Sequence, residues 1–500
     1  MCDSCNSPVS TARGLTRRQA ITMGLGAAAA AFAMPRVARA MRLPWLPEAP
    51  VDDLDVALRA ARWIRASRIT TPNGVAWPSD PSRKDSVSTD LYNGFPGVIL
   101  FHLELYHATM DTAWLDDARR GADELIARLP AMDAAKDAGL YTGLGGALFV
   151  LEETHRATGD ARYRAGARQA LAMIHAQAIK TPLSAVWQGP SATNDIISGA
   201  AGIGLALLWA DQMLGDQDSR ALALATGRRL MDIGISDKGG TKWGVTNDAG
   251  TFYPNFAHGT AGVAYFLATL LKMTGERSLL AGALAGAKYL ESIADTSNGG
   301  FKVYHHTPGG EDLFYMSWCH GPAGTARLYH RLGQITGRPR WEQVVTQAAK
   351  ATIDSGAPEK QSPGFWNNVS QCCGNAGIGE FFLELQRRSP KPEYQAMVDR
   401  VRTNTLSRAT AEGDGLKWPQ AENRASPNDI IAQTGYMQGA AGIGSFFLHA
   451  DAFTKKRAPA IIWPDSTEFD PCIAGAPSSA SDMSNMNGGK AYCGKPDASK

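Results

Sequence analysis

The chain has 500 residues, of which 44% are hydrophobic and 20% charged, with a formal net charge of +2. That describes a globular protein with ample core and gives no electrostatic reason to expect nucleic acid or an anionic membrane as a partner. Seven cysteines are too few for a disulfide-built scaffold of this size.

Residues 13–40 come first: "RGLTRRQAITMGLGAAAAAFAMPRVARA" places arginines before a mildly apolar Ala/Gly run and ends in a small-x-small site. This predicts a cleaved export signal over 1–40, and "LTRRQAI" has the form of a twin-arginine signal, which carries folded proteins to a periplasmic or extracellular destination. An ordinary secretory signal with a dibasic start is the alternative. The apolar run is too short and Ala-rich for a membrane span, and no later segment supplies one. Removing 1–40 takes away five arginines and one acid, which leaves residues 41–500 near neutrality.

From residue 92 one motif recurs: "YNGFPG", "YTGLGG", "ISGAAG", "AHGTAG", "CHGPAG", "CCGNAG" and "MQGAAG". Their first glycines are Gly94, Gly143, Gly199, Gly259, Gly321, Gly374 and Gly439. Each Gly-x-x-Gly opens an apolar run of helical period. Amphipathic segments such as 53–67, 112–129, 161–178, 278–294 and 339–356 alternate with these runs. One helix type apolar all round and one with a charged face predict an inner and an outer ring. The fold class expected is therefore all-α, an α/α toroid of about seven helical hairpins over 41–456, with an irregular Gly/Ser/Pro-rich tail over 457–500. An open solenoid is the competing architecture. The glycines allow close backbone approach and leave free N–H groups at one end of the ring. Trp77, Trp187, Trp243, Trp366 and Trp418 precede most marks and are expected to floor that rim.

If all seven marks face one rim, the residues just before the glycines converge there. Marks five and six bring Cys319, Cys372 and Cys373 together. Three thiolates with one open position describe a catalytic zinc site, and sulfur ligands favour Zn2+ over harder cations. A Cys372–Cys373 disulfide, or three inert buried thiols, are the alternatives. Cys472 and Cys493 are candidates for one tail disulfide, and Cys2 and Cys5 leave with the signal.

Seven such marks together with "WCHGPAG" and a Cys-x-Gly mark next door resemble the LanC family of lanthionine synthetase cyclases, over roughly residues 50–455. The resemblance implies an α/α toroid with zinc at its rim, where a substrate thiol takes the open position and adds to dehydroalanine or dehydrobutyrine. It places the family's zinc cysteines on Cys319 and Cys372, with Cys373 where a histidine ligand is usual. It places the family's acid/base residues on Asp195 and His258, and leaves His320 as a further proton source. At the family's arginine this chain has Tyr315. The expected function is zinc-dependent addition of a thiol to a dehydroamino acid or related electrophile, with a peptide or small-thiol substrate and a monomeric enzyme. A carbohydrate-active toroid is one alternative, although it would need paired rim carboxylates. A non-catalytic zinc module that holds a peptide or glycan on a tryptophan-lined rim is the other.

Overall fold

The computed structural model describes residues 51–469, Pro182 apart. The export-signal reading, Cys2, Cys5 and the Cys472–Cys493 pairing lie outside the described residues. Within them, fourteen α-helices account for the architecture: α1 Asp53–Ala66, α2 Phe95–Thr109, α3 Thr112–Ala135, α4 Leu144–Thr158, α5 Ala161–Gln177, α6 Ala200–Leu214, α7 Gln217–Asp232, α8 Thr260–Thr274, α9 Leu279–Ile293, α10 Pro322–Thr336, α11 Pro339–Asp354, α12 Asn375–Arg388, α13 Pro392–Ser407 and α14 Ala440–Thr454. Even-numbered helices form the inner ring and odd-numbered ones the outer.

The two helix types follow from composition. Helix α6, AAGIGLALLWADQML, buries thirteen of its fifteen residues, so it must sit inside. Helix α7 behind it buries only six residues along one face. Sharp turns join each inner helix to its outer partner. Gly159 and Gly215 end α4 and α6 in the left-handed conformation at φ +71° and +68°, and the next residue, Asp160 or Asp216, caps the outer helix with its carboxylate. Such a cap is worth about 1 kcal/mol.

The ring closes. Each inner helix packs against the outer helix that follows it, except α14, which packs against α1. The seventh hairpin is thus assembled from the two ends of the described chain. Asp53 on α1 also takes a two-point ion pair from Arg402 on α13, at 2.7 and 2.6 Å. Burial pushes the Asp53 carboxyl up to about 6 although the Arg402 guanidinium opposes it.

A circle of backbone hydrogen bonds ties the seven marks together. Tyr92 N–H donates to Tyr141 O, Tyr141 to Ile197 O, and Ile196 to Ala257 O; Ala257 donates to Cys319 O, Cys319 to Cys372 O, Cys372 to Met437 O, and Met437 back to Tyr92 O, all at 2.8–3.1 Å. The paired glycines permit this crossing of loops over helix starts. A Cβ at Gly324 would collide with the carbonyl of Trp318, and one at Gly321 with the backbone of Met316.

Five two-stranded ribbons accompany the helices, among them β1–β2 (69–70, 75–76), β3–β4 (179–180, 185–186), β5–β6 (235–237, 240–242) and β7–β8 (410–412, 415–417), each returning the chain from an outer helix to the rim. The fifth, β9–β10 (419–421, 430–432), is an excursion on the last loop. The tryptophans after these ribbons do not floor an open surface. Trp187, Trp243 and Trp418 are buried, and their indole N–H groups donate to Ile174, Leu230 and Thr405 carbonyls at the ends of α5, α7 and α13. An indole is large enough to fill the wedge between inner and outer helices, and its N–H satisfies a carbonyl the helix leaves open.

Residues 457–469, irregular in conformation, enter the ring's lumen. The Trp463 ring meets Tyr141, Phe149 and Tyr436. Asp465 accepts from Tyr141 Oη at 3.1 Å and pairs with Arg327 at 3.0 Å. Arg331 donates to the carbonyls of Ser466 and Phe469. A cavity of about 110 Å³ remains beneath the rim, bordered by Tyr141, Trp318, Tyr436 and Trp463. No described helix is long and apolar enough to cross a membrane.

Candidate metal centre

Counting back from each first glycine gives two positions that face the rim. The second residue before it is Tyr92, Tyr141, Ile197, Ala257, Cys319, Cys372 or Met437; the residue directly before it is Asn93, Thr142, Ser198, His258, His320, Cys373 or Gln438. Marks four to seven therefore contribute His258, His320, Cys373 and Gln438 at equivalent places, with Cys319 and Cys372 beside them.

The three expected cysteines meet. Cys319 Sγ lies 3.2 Å from Cys373 Sγ, which lies 3.4 Å from Cys372 Sγ. These separations far exceed the ~2.05 Å of a disulfide, which removes the Cys372–Cys373 disulfide reading. All three sulfurs lie within 4.8 Å of one another, and theirs is the group of metal-capable side chains found among the described residues. Around a tetrahedral zinc with bonds of about 2.3 Å the sulfurs would be about 3.8 Å apart. Two of the trio's separations are already shorter than that, and the third lies within 4.8 Å. Every one is at most 1% exposed, and soft donors so arranged fit Zn2+. The backbone bonds of the rim circle through Cys319 and Cys372 fix two of the three Cα positions.

Asp195 and His258 also come together, across marks three and four. Asp195 Oδ2 is 2.5 Å from His258 Nδ1. Its other oxygen accepts from Thr193 Oγ1 at 3.0 Å and from Ser198 N–H at 3.2 Å, so the carboxylate cannot swing away. The carboxylate as acceptor places the imidazole proton on Nδ1 and leaves Nε2 as the basic nitrogen.

The His258 ring lies 5.7 Å from that of His320, which is fully buried with no hydrogen-bond partner for either ring nitrogen among the described residues. Tyr315 is fully buried too, its ring tilted against His305 and Trp366 and edge-on to His320. Its hydroxyl receives Arg424 Nε at 3.2 Å, so a cation from the β9–β10 excursion reaches the place where the sequence shows none.

Four contributors were given no role by the sequence: Tyr92, Gln438, His305 and Arg424. Tyr92 Oη donates to Cys372 Sγ at 2.8 Å and accepts from Gln438 Nε2 at 3.0 Å. Register alone could have found these two, since they occupy the same offsets as Cys319 and Cys373. His305, 4.2 Å from the His320 ring, was signalled by the pair in "VYHHTP". Arg424 sits in a loop of no periodicity, where nothing in the sequence marks it.

A family model described as "Lanthionine synthetase C-like protein" matches residues 85–464. The chain belongs to that family. Among solved structures, nisin cyclase is 15% identical with a TM-score of 0.59, over 83% of this chain and 96% of that one, which establishes the shared fold. Weaker likenesses include an α-1,6-mannanase variant from Salegentibacter sp. HEL1_6, 11% identical over 81% and 99% at a TM-score of 0.46. An unsaturated glucuronyl hydrolase specific for heparin is 15% identical over 81% and 98%, also at 0.46. No curated protein matches the chain.

Proposed function

We propose that this protein binds Zn2+ through Cys319, Cys372 and Cys373 and activates a thiol for addition to a dehydroamino acid or related electrophile, on a peptide or a small thiol. The observation that carries this reading is the meeting of three sulfurs at one rim of a LanC-family ring. When bound, zinc would hold the incoming thiol as thiolate at neutral pH and leave it nucleophilic.

The chain's own groups supply the rest. Asp195 fixes the tautomer of His258, so Nε2 can accept the thiol proton. As the sulfur bonds to the β-carbon of the dehydroamino acid, the C=C π pair moves to the α-carbon as an enolate. His258 Nε2 then returns the proton there, so one S–H has added across one double bond. Arg424, which donates to Tyr315, and the neighbouring His320 are the further groups proposed to stabilise the developing enolate charge. The buried tryptophans weaken the glycan-binding alternative, because they present no stacking surface.

The test combines metal analysis of the purified protein with addition of a thiol to a dehydroalanine peptide, followed by mass spectrometry. One zinc per chain and thioether product are expected, and His258→Ala should slow the reaction about 10²–10⁴-fold while leaving zinc bound. Zinc without turnover, unchanged in His258→Ala, would instead favour a binding module. The proposal includes export: a folded, metal-loaded protein leaving by the twin-arginine route should appear outside the cytoplasm in fractionation, and should be retained when Arg17 and Arg18 are replaced by lysine.

A further inference from the structure

Three thiolates around a doubly charged cation carry one net negative charge, and here that charge would sit where the sulfurs are at most 1% exposed. Burial of net charge is costly unless hydrogen-bond donors face it. One short donor contact is that of Tyr92 Oη, 2.8 Å from Cys372 Sγ. Gln438 Nε2 lies farther off, 4.0 Å from Cys373 Sγ.

The direction of this contact is set by a chain of buried groups. Asn368 Nδ2 donates to Gln438 Oε1 at 3.4 Å, which turns the Gln438 amide nitrogen toward Tyr92. Gln438 Nε2 donates to Tyr92 Oη at 3.0 Å. With a lone pair so engaged, the single phenolic proton is aimed at Cys372 sulfur. Asn368 and Gln438 are fully buried, and Tyr92 is 6% exposed. The chain runs from mark six through mark seven to mark one, so it crosses the seam where the two ends of the ring meet.

We infer that Tyr92, oriented by Gln438, is a positioning residue for the metal centre: its hydroxyl hydrogen-bonds the Cys372 ligand, holds that sulfur in place and draws charge from it. Tyr141 provides an internal control. It holds the same register position one mark on, yet its hydroxyl is directed into the lumen at Asp465. The inference rests on the proposal that the trio binds zinc.

The experiment uses the full chain loaded with Zn2+ or Co2+. Groups that hydrogen-bond metal ligands typically contribute 10–100-fold to metal affinity. Tyr92→Phe, which keeps the ring and removes the proton, should therefore weaken Zn2+ in chelator competition at least tenfold. In the cobalt protein it should move the sulfur-to-metal charge-transfer band to lower energy, because sulfur loses the bond that withdrew its charge. Gln438→Met should shift both readouts the same way by less, and Tyr141→Phe should shift neither. Parent-like affinity and spectrum in Tyr92→Phe would overturn the inference and leave zinc binding intact. Equal losses in Tyr92→Phe and Tyr141→Phe would overturn it in favour of general packing. A parent chain that takes up neither metal would overturn both this inference and the proposed function.

Discussion

The rim and the lumen of this ring bury different sets of ionisable groups. In the lumen the charges are matched: His449 on α14 is held between Glu380 on α12 at 2.7 Å and Glu104 on α2 at 3.0 Å. Arg327 and Arg331 on α10 are bound by the segment at 465–469. At the rim, three cysteines crowd together and His320 has both nitrogens unmatched. Salt-bridged groups fill the lumen, whereas the rim gathers three sulfurs, the Asp195–His258 pair and the buried His320, which concentrates the candidate chemistry at that end.

The largest effect is expected at the thiols. Cys372→Ala should abolish stoichiometric zinc, measured by elemental analysis, while far-ultraviolet circular dichroism stays close to the parent. Loss of helix in that variant would mean that the metal holds the fold together. The mirror experiment removes the centre of the lumen triad. His449→Leu leaves two carboxylates buried without their cation and should cost about 3–5 kcal/mol in urea unfolding, with the zinc content of the folded fraction unchanged.

The same triad sharpens the contrast through pH. Burial alone would lower the His449 pKa, but Glu380 and Glu104 outweigh it and hold it up at about 10. A group raised above its unfolded value of about 6.5 gives its full stabilisation below pH 6.5 and loses it as pH rises toward 10. Urea midpoints measured from pH 6 to pH 10 should fall across that interval, and His449→Leu should flatten the fall. Smaller again is the seam. Arg402→Met should cost about 2 kcal/mol, less than the buried-pair range because the arginine retains some solvent contact, and should speed hydrogen exchange in 53–66 ahead of other outer helices. The smallest effect expected is that of Trp243→Phe, which removes the bond to Leu230 O and some packing, worth about 1–2 kcal/mol.

Much of this was legible because the ring repeats one device. Seven glycine pairs fixed the register, and register carried Cys319 to Cys372 and Cys373, and Asp195 to His258, across some fifty to sixty residues each. The tryptophans were misplaced because an aromatic before a helix start reads the same whether it faces solvent or wedges between helices; only the Ile174, Leu230 and Thr405 carbonyls decide it. Tyr92 was passed over because tyrosine gives no metal-ligand signal until the sulfur it faces is known. Residues 457–469 carry little periodicity, so their course into the lumen was set by an ion pair with Arg327 and by hydrogen bonds from Arg331 to backbone carbonyls, which no local pattern announces.

The pairing of α14 with α1 has a consequence for synthesis. Among the described helices, the first to emerge from a ribosome must wait for the last before it gains its partner. A truncated chain would present raw apolar flanks at both open edges, an easy mark for proteases and chaperones. Quality control is thereby written into the order of the helices: the face of 53–66 stays uncovered until 440–454 has been made.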